Sequence, residues 1–154
     1  MIILGIDPGL GRMGYGVIEK AGSRLVALEY GLIETSPGPL PERLRHVHSS
    51  VCELVARHKP DAVASERQLF AANKTTAMDV AKALGVVLLA TAELGVAWTE
   101  FSPPEVKLSV VGNGAAEKRQ VQFMVQRLLG LEKAPKPDDV ADALAVAITR
   151  ALRG

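Results

Sequence analysis

Cysteine, net charge and long apolar runs are all scarce in this chain, and each scarcity removes a class of protein. One cysteine in 154 residues, Cys52, leaves no partner for an internal disulfide framework and fits a reducing, cytoplasmic setting. Asp7 interrupts the opening apolar run from Met1 to Ile6, and no basic segment precedes it, which argues against a secretory leader. The longest apolar stretch, Leu84 to Trp98, is broken by Thr91 and Glu93 and is too short for a span of about 30 Å, so no membrane association is expected. Eighteen basic residues nearly cancel 17 acidic ones, a net charge of +1, whereas a nucleic-acid binder is usually more basic. No internal repeat, charged tail, low-complexity tract or dividing linker is present. What is present, 48% apolar and 23% charged residues, is the composition of one globular domain over 1–154, large enough to bury a core without a disulfide or metal staple.

The apolar pattern predicts strands first and helices after. Residues 2–7 read as a fully buried strand ended by the turn chemistry of Asp7-Pro8-Gly9. Tyr15 to Ile18 and Leu25 to Ile33 are β-rich runs separated by Ala21-Gly22-Ser23, so an antiparallel meander opens the chain. Leu40, Leu44, Val47, Val51 and Val55 then recur at helical spacing, between Pro39 and Pro60. Ala62 to Ser65 reads as a fourth strand leading to Glu66, and Asn73 as the cap of a long helix reaching about Leu94. Val96 to Phe101 reads as a fifth strand. A short helix or turn from Pro104 to Val111, a helix carrying Val121, Met124, Val125 and Leu128, and a last helix from about Asp138 to Leu152 follow. The expected architecture is α/β, a mixed five-stranded sheet in the order βββαβαβα with helices flanking it.

Gly9-Leu10-Gly11-Arg12-Met13-Gly14 matches the dinucleotide fingerprint GxGxxG, with Glu29 about 20 residues on. That fingerprint must open a helix whose N-terminus holds the pyrophosphate. Here Tyr15-Gly16-Val17-Ile18 is strand-like, and Asp7 would repel a second anion, so a nicotinamide site is excluded. Four other acids make a better candidate. Asp7 ends the first strand, Glu66 ends the fourth, and Asp139 and Asp142 share one face of the last helix at i,i+3. Strand ends and a helix start can meet at one edge of a sheet, where a like-charge pair at about 4 Å repels by roughly 4 kcal/mol at an effective dielectric of 20. Such a group needs protons or cations. Carboxylates without cysteine or paired histidines suit Mg²⁺ or Mn²⁺ rather than zinc. Taken singly, Asp7 could make an Asx turn, Glu66 a surface pair with Arg67, and Asp138 or Asp139 a helix cap. Asp138 is read as a cap. Asp142 interrupts the apolar run Val140 to Ile148, where a charge needs a partner.

Between the acids lies a basic, amide-rich stretch. Lys107, the loop Gly112-Asn113-Gly114, Lys118 and Arg119 are followed on a polar helix face by Gln122, Gln126 and Arg127. Glycines flanked by lysines can lay backbone N–H groups against phosphate. With four acids neutralised by metal, 18 basic residues face 13 acidic ones, a balance that permits binding to a phosphate backbone. His46, His48 and His58, Cys52 and Trp98 read as ordinary helix and core residues.

These residues resemble a known family, the RuvC Holliday-junction resolvases of the ribonuclease H-like fold. The likeness covers essentially the whole chain: IILGIDPGLGRMGYGVI, Glu66 followed by Phe70 and Asn73, VKLSVVGNGAAEKRQVQFMV, and DVADALAVAIT from Asp139. Sugar-kinase and actin-like ATPases share a hairpin like the first of these; the last two are specific. The resemblance implies a structure-selective DNA endonuclease that nicks two opposed strands of a four-way junction in recombination and repair, leaving 5′-phosphate and 3′-hydroxyl ends. Two Mg²⁺ ions, with Mn²⁺ a plausible substitute, would be held by Asp7, Glu66, Asp139 and Asp142, with DNA contacts from Lys107 and Lys118, beside Arg119. Many relatives place an aromatic residue three positions after the glutamate, to stack on a base; here that position is Leu69, with Phe70 beside it and Asn73 following. Two symmetric cuts imply a homodimer, for which the helix from Asn73 is a candidate interface, and the family couples to branch-migration motor proteins. The alternatives are another ribonuclease H-like nuclease, of the kind that trims ribosomal RNA precursors but lacks GNGAAEK, or a non-catalytic junction-binding protein. An ATP-binding half-domain would need a second domain that 154 residues do not supply.

Overall fold

Apolar side chains on both faces make Ile2–Asp7, strand β1, suited to the middle of a sheet. In the computed structural model, which describes residues 1–67 and 74–154, β1 lies between β2 (Arg12–Ala21) and β4 (Ala62–Glu66). The edges are β3 (Arg24–Glu34) and β5 (Ala97–Phe101), giving the spatial order β3-β2-β1-β4-β5. The first three strands form the antiparallel meander, and β4 and β5 run parallel to β1. This is the mixed five-stranded sheet the sequence predicts. Strands β2 and β3 are longer than the apolar runs suggest, because their outer ends pair through polar residues such as Arg12 with Glu34. Gly22, at a φ of 63°, supplies the left-handed residue their two-residue turn requires.

Helices α1 (Leu40–His58) and α2 (Lys74–Glu93) cover one face of the sheet; α3 (Pro103–Val111), α4 (Lys118–Leu129) and α5 (Asp138–Arg153) cover the other. The final α of the expected order is thus three consecutive helices. Side chains alternate across a strand, so Leu4, Ile6 and Val63 pack toward α1 and α2 with Val47, Val51 and Val87. Ile3 and Ala64 pack toward α5 with Leu144 and Ile148. The same parity carries Asp7 and Glu66 to the α5 side of the sheet. Helix α5 is buried on every side through its middle turns, with ten of its 16 residues buried, among them all of 143–149.

Three expectations need correction or restriction. Asp138 does not cap α5: Pro137 occupies that position, and Asp138 is the first helical residue, its carboxylate turned to α4. The long helix expected up to about Leu94 is α2, and at 20 residues it is long and apolar enough by length and composition to cross a membrane. It buries Ala83, Val87, Ala90 and Thr91. Leu69, Phe70 and Asn73, together with the proposed Asn73 cap, lie outside the described residues.

Glu29 ties β3 to the end of α1. It accepts hydrogen bonds from Arg57 Nε at 3.0 Å and Nη2 at 2.8 Å and from Tyr15 Oη at 3.0 Å, and His58 Nε2 lies 2.5 Å from it. The Arg57 and His58 contacts pull its carboxyl down from the usual 4.5 to about 2. A carboxyl lowered in the folded state stabilises the fold above its ordinary titration range, and this contribution fades as pH falls toward 2. Urea denaturation across pH should therefore show Glu29→Gln less stable than the wild type at neutral pH, with the gap closing between about pH 4.5 and pH 2.

Candidate active site

Three glycines determine how near α5 can come to the sheet. Gly5 pairs with Gly16 across β1 and β2, and Gly14 pairs with Asp7. A Cβ at Gly5 would strike the carbonyl oxygen of Ala143, one at Gly14 the carbonyl oxygen of Asp139, and one at Gly16 the side chain of Leu144. The helix therefore rests on bare backbone, and its alanines, among them Ala143 and Ala147, add little bulk from the other side. Its first turn is thereby pressed against the C-terminal end of β1, where Asp7 stands. Glu66 ends the neighbouring parallel strand, β4, one residue beyond the Ile6–Ser65 pair.

The four acids lie close enough for their charges to act on one another. Burial raises the Asp7 carboxyl to about 8, helped by the nearby charges of Asp142, Glu66 and Asp139 and by a hydrogen bond with Asp139. Burial also raises Glu66, reinforced by Asp142 and opposed by Lys118 and Lys107. For Asp142 the burial that raises it outweighs the pull of Lys118. Two cations already lean on the α5 carboxylates. Lys118 Nζ is 3.1 Å from Asp138 Oδ2 and 3.6 Å from Asp142 Oδ2, and Arg12 Nη2 is 2.9 Å from Asp139 Oδ2. Burial opposes the Lys118 charge, but its bonds to the two aspartates prevail and hold its pKa up. Asp7 faces Asp139 rather than its own turn, and Arg67 pairs with Glu100 at 2.8 Å rather than with Glu66. The isolated readings of Asp7 and Glu66 are therefore set aside.

The donor set suits a hard cation. All four groups are carboxylates, and Asp139 Oδ2 is buried with no hydrogen-bond partner, because the Arg12 contact is close but not aligned for a hydrogen bond. Among the described residues no three acid, histidine or cysteine side chains close on one point as they stand. Asp139 is turned to Arg12 and Asp142 to Lys118, so ligation requires those contacts to yield.

A cleft of about 270 Å³ opens beside the acids, lined by Glu66, Asp142, Lys107 and Lys118 over a floor of Val106, Val121 and Ala145. Lys107 and Lys118 thus join the acids, as the sequence suggests. Arg119 does not: it borders a separate groove with Val111, Gln120, Phe123 and Met124. Within the 112–114 loop, one glycine has a structural task. Gly112, at a φ of 86°, closes α3, and Asn113 Oδ1 accepts a hydrogen bond from the Ala115 N–H at 2.9 Å.

Residues 3–150 match the model of one protein family, crossover junction endodeoxyribonuclease RuvC. This chain belongs to the RuvC family. Over its whole length it is 50% identical to a RuvC of Alkaliphilus metalliredigens, covering 94% of that protein. Its backbone superposes on a Thermus thermophilus RuvC with a TM-score of 0.91 at 40% identity. On a T. thermophilus RuvC in complex with Holliday junction substrate the TM-score is 0.95 at 41% identity; each comparison covers 99% of this chain and 94% of the other. The RuvC fold of this chain is the ribonuclease H-like one expected from its sequence.

Sequence reasoning missed Arg12 and the three glycines. Arg12 sits inside the misleading GxGxxG string, and only the hairpin shows that it points at Asp139. The alternation of Gly14 and Gly16 was a usable signal, since small residues two apart on a strand leave one face bare.

Gly14→Ala should therefore push α5 outward and lower stability by about 1–3 kcal/mol in urea denaturation. In EDTA at neutral pH, Asp7→Asn should raise the thermal midpoint, by roughly 2–4 °C per kcal/mol gained, because the buried wild-type carboxyl must take up a proton on folding and the amide need not. An unchanged or lower midpoint would show that the acids do not strain the metal-free fold.

Proposed function

We propose that this RuvC-family chain is a cytoplasmic, divalent-metal-dependent endonuclease that resolves four-way DNA junctions by paired symmetric nicks. The observation that carries this reading is the convergence of Asp7, Glu66, Asp139 and Asp142 beside a cleft whose rim holds Lys107 and Lys118. The four carboxylates would hold two Mg²⁺ ions, with Mn²⁺ as a substitute. Bound metal of this kind lowers the pKa of an attacking water and stabilises the leaving oxygen of an in-line displacement, here the 3′-oxygen.

The chain's own residues supply position and charge. Asp7 and Glu66 are fixed by the central strands, and Asp139 and Asp142 by the buried helix α5, so the ligand geometry is set by the core rather than by loops. Lys107 and Lys118 place positive charge where a scissile phosphate would enter and offset the charge that develops on it. Val106 and Val121 in the cleft floor keep water from one side of the reacting group.

One cluster cuts one strand, so two cuts require two copies. Met78, Ala81, Gly85, Leu89 and Ala92 recur at helical spacing along the exposed side of α2, with Met78 61% and Leu89 54% exposed. That apolar stripe suits a two-fold contact with a second copy and accounts for the composition of α2 without a membrane. Coupling to branch-migration motor proteins and base contacts by Leu69, Phe70 and Asn73 belong to the same reading.

A gel assay comparing a synthetic four-way junction with duplex DNA and RNA, with Mg²⁺ or EDTA, tests the proposal. Paired nicks should appear in the junction with Mg²⁺, and Asp7→Asn should abolish them while leaving junction binding intact. Nicking by purified Asp7→Asn would remove the metal site. Binding without metal-dependent nicking would favour a scaffold, and preferential RNA cleavage a ribosomal RNA precursor nuclease.

A further inference from the structure

The tip of the β1–β2 hairpin is clamped more firmly than a surface turn requires. The Thr35 N–H donates to the Gly11 carbonyl at 3.0 Å, Thr35 Oγ1 donates to the Leu10 carbonyl at 2.6 Å, and Arg43 Nε donates to Thr35 Oγ1 at 3.0 Å. The clamp fixes the backbone just before Arg12, the first residue of β2. Arg12 Nη2 reaches Asp139 Oδ2 at 2.9 Å, while the side chain stays 55% exposed. That oxygen is the buried one without a hydrogen-bond partner. Arg12 approaches the acids from the β2 side, whereas Lys107 lines the cleft beside Glu66 on the β4 side.

We propose that Arg12 is a positioning residue of this site, holding Asp139 in the metal-free protein and turning to a strand phosphate once a divalent cation takes Asp139. The inference rests on the nuclease reading above. A half-exposed ion pair without hydrogen-bond alignment is weak, so a divalent cation displaces it readily. The freed guanidinium remains tethered to a clamped hairpin at the rim, and its planar fork matches phosphate. Arg12 thus neutralises Asp139 while metal is absent and extends the phosphate-binding surface across the acids from Lys107 when metal is present.

Two measurements that do not depend on cleavage test this. Free Mn²⁺, followed by electron paramagnetic resonance, should show half-saturation of Arg12→Ala at a concentration roughly two- to fivefold below that of the wild type, since the competing pair is gone. Junction binding by fluorescence anisotropy should show, in Ca²⁺, a salt slope shallower by about one for Arg12→Ala, with Arg12→Lys restoring the wild-type slope. In EDTA, where Arg12 is engaged with Asp139, the wild-type and Arg12→Ala slopes should coincide. Unchanged Mn²⁺ half-saturation, or an unchanged slope in Ca²⁺, would overturn the role of Arg12. Failure of the wild type to bind Mn²⁺ at all would overturn the nuclease reading beneath it.

Discussion

Asp7, Glu66, Asp139 and Asp142 carry like charge into a space that water only partly fills, and much of the surrounding architecture answers that repulsion. At an effective dielectric of 20, two like unit charges about 4 Å apart repel by roughly 4 kcal/mol. The protein meets this in two ways without metal: Asp7 keeps its proton to about pH 8, and Arg12 and Lys118 lean on the α5 carboxylates. Both arrangements are reversible. A proton can leave and two flexible cations can swing aside, which makes the cluster receptive to a hard cation.

Holding the acids together falls to the apolar layers. Helix α5 buries ten residues against a sheet that offers it glycine at positions 5, 14 and 16. The glycines forgo side-chain packing and carry an entropic cost in a strand, yet they let the helix sit on backbone atoms. Close packing of this kind is stiff, because interiors at crystal-like density resist small displacements. The ligand positions inherit that stiffness. The acids come from three elements far apart in the chain, and none rides on a loop.

Much of this was legible before any coordinates. The position of Asp7 and Glu66 at strand ends, the i,i+3 spacing of Asp139 and Asp142, and the charge in the middle of an alanine-rich run pointed to one acidic cluster. The meander was readable because turn chemistry at Asp7-Pro8-Gly9 and Ala21-Gly22-Ser23 punctuates it. Asp138 was misread because an acid at a helix start fits capping and a lysine partner equally well, and the choice depends on where α4 lies.

Local chemistry, then, determined the strands, the helices and the face on which each acid stands, since alternation and helical periodicity act over a few residues. The tertiary structure alone decided that Arg12 meets Asp139, that Lys118 bridges Asp138 and Asp142, and that Arg119 turns away to a separate groove. Those outcomes depend on the separation of α5 from the sheet and of α4 from α5. Such distances are set by the summed volumes of side chains from distant segments, which no short window of sequence contains.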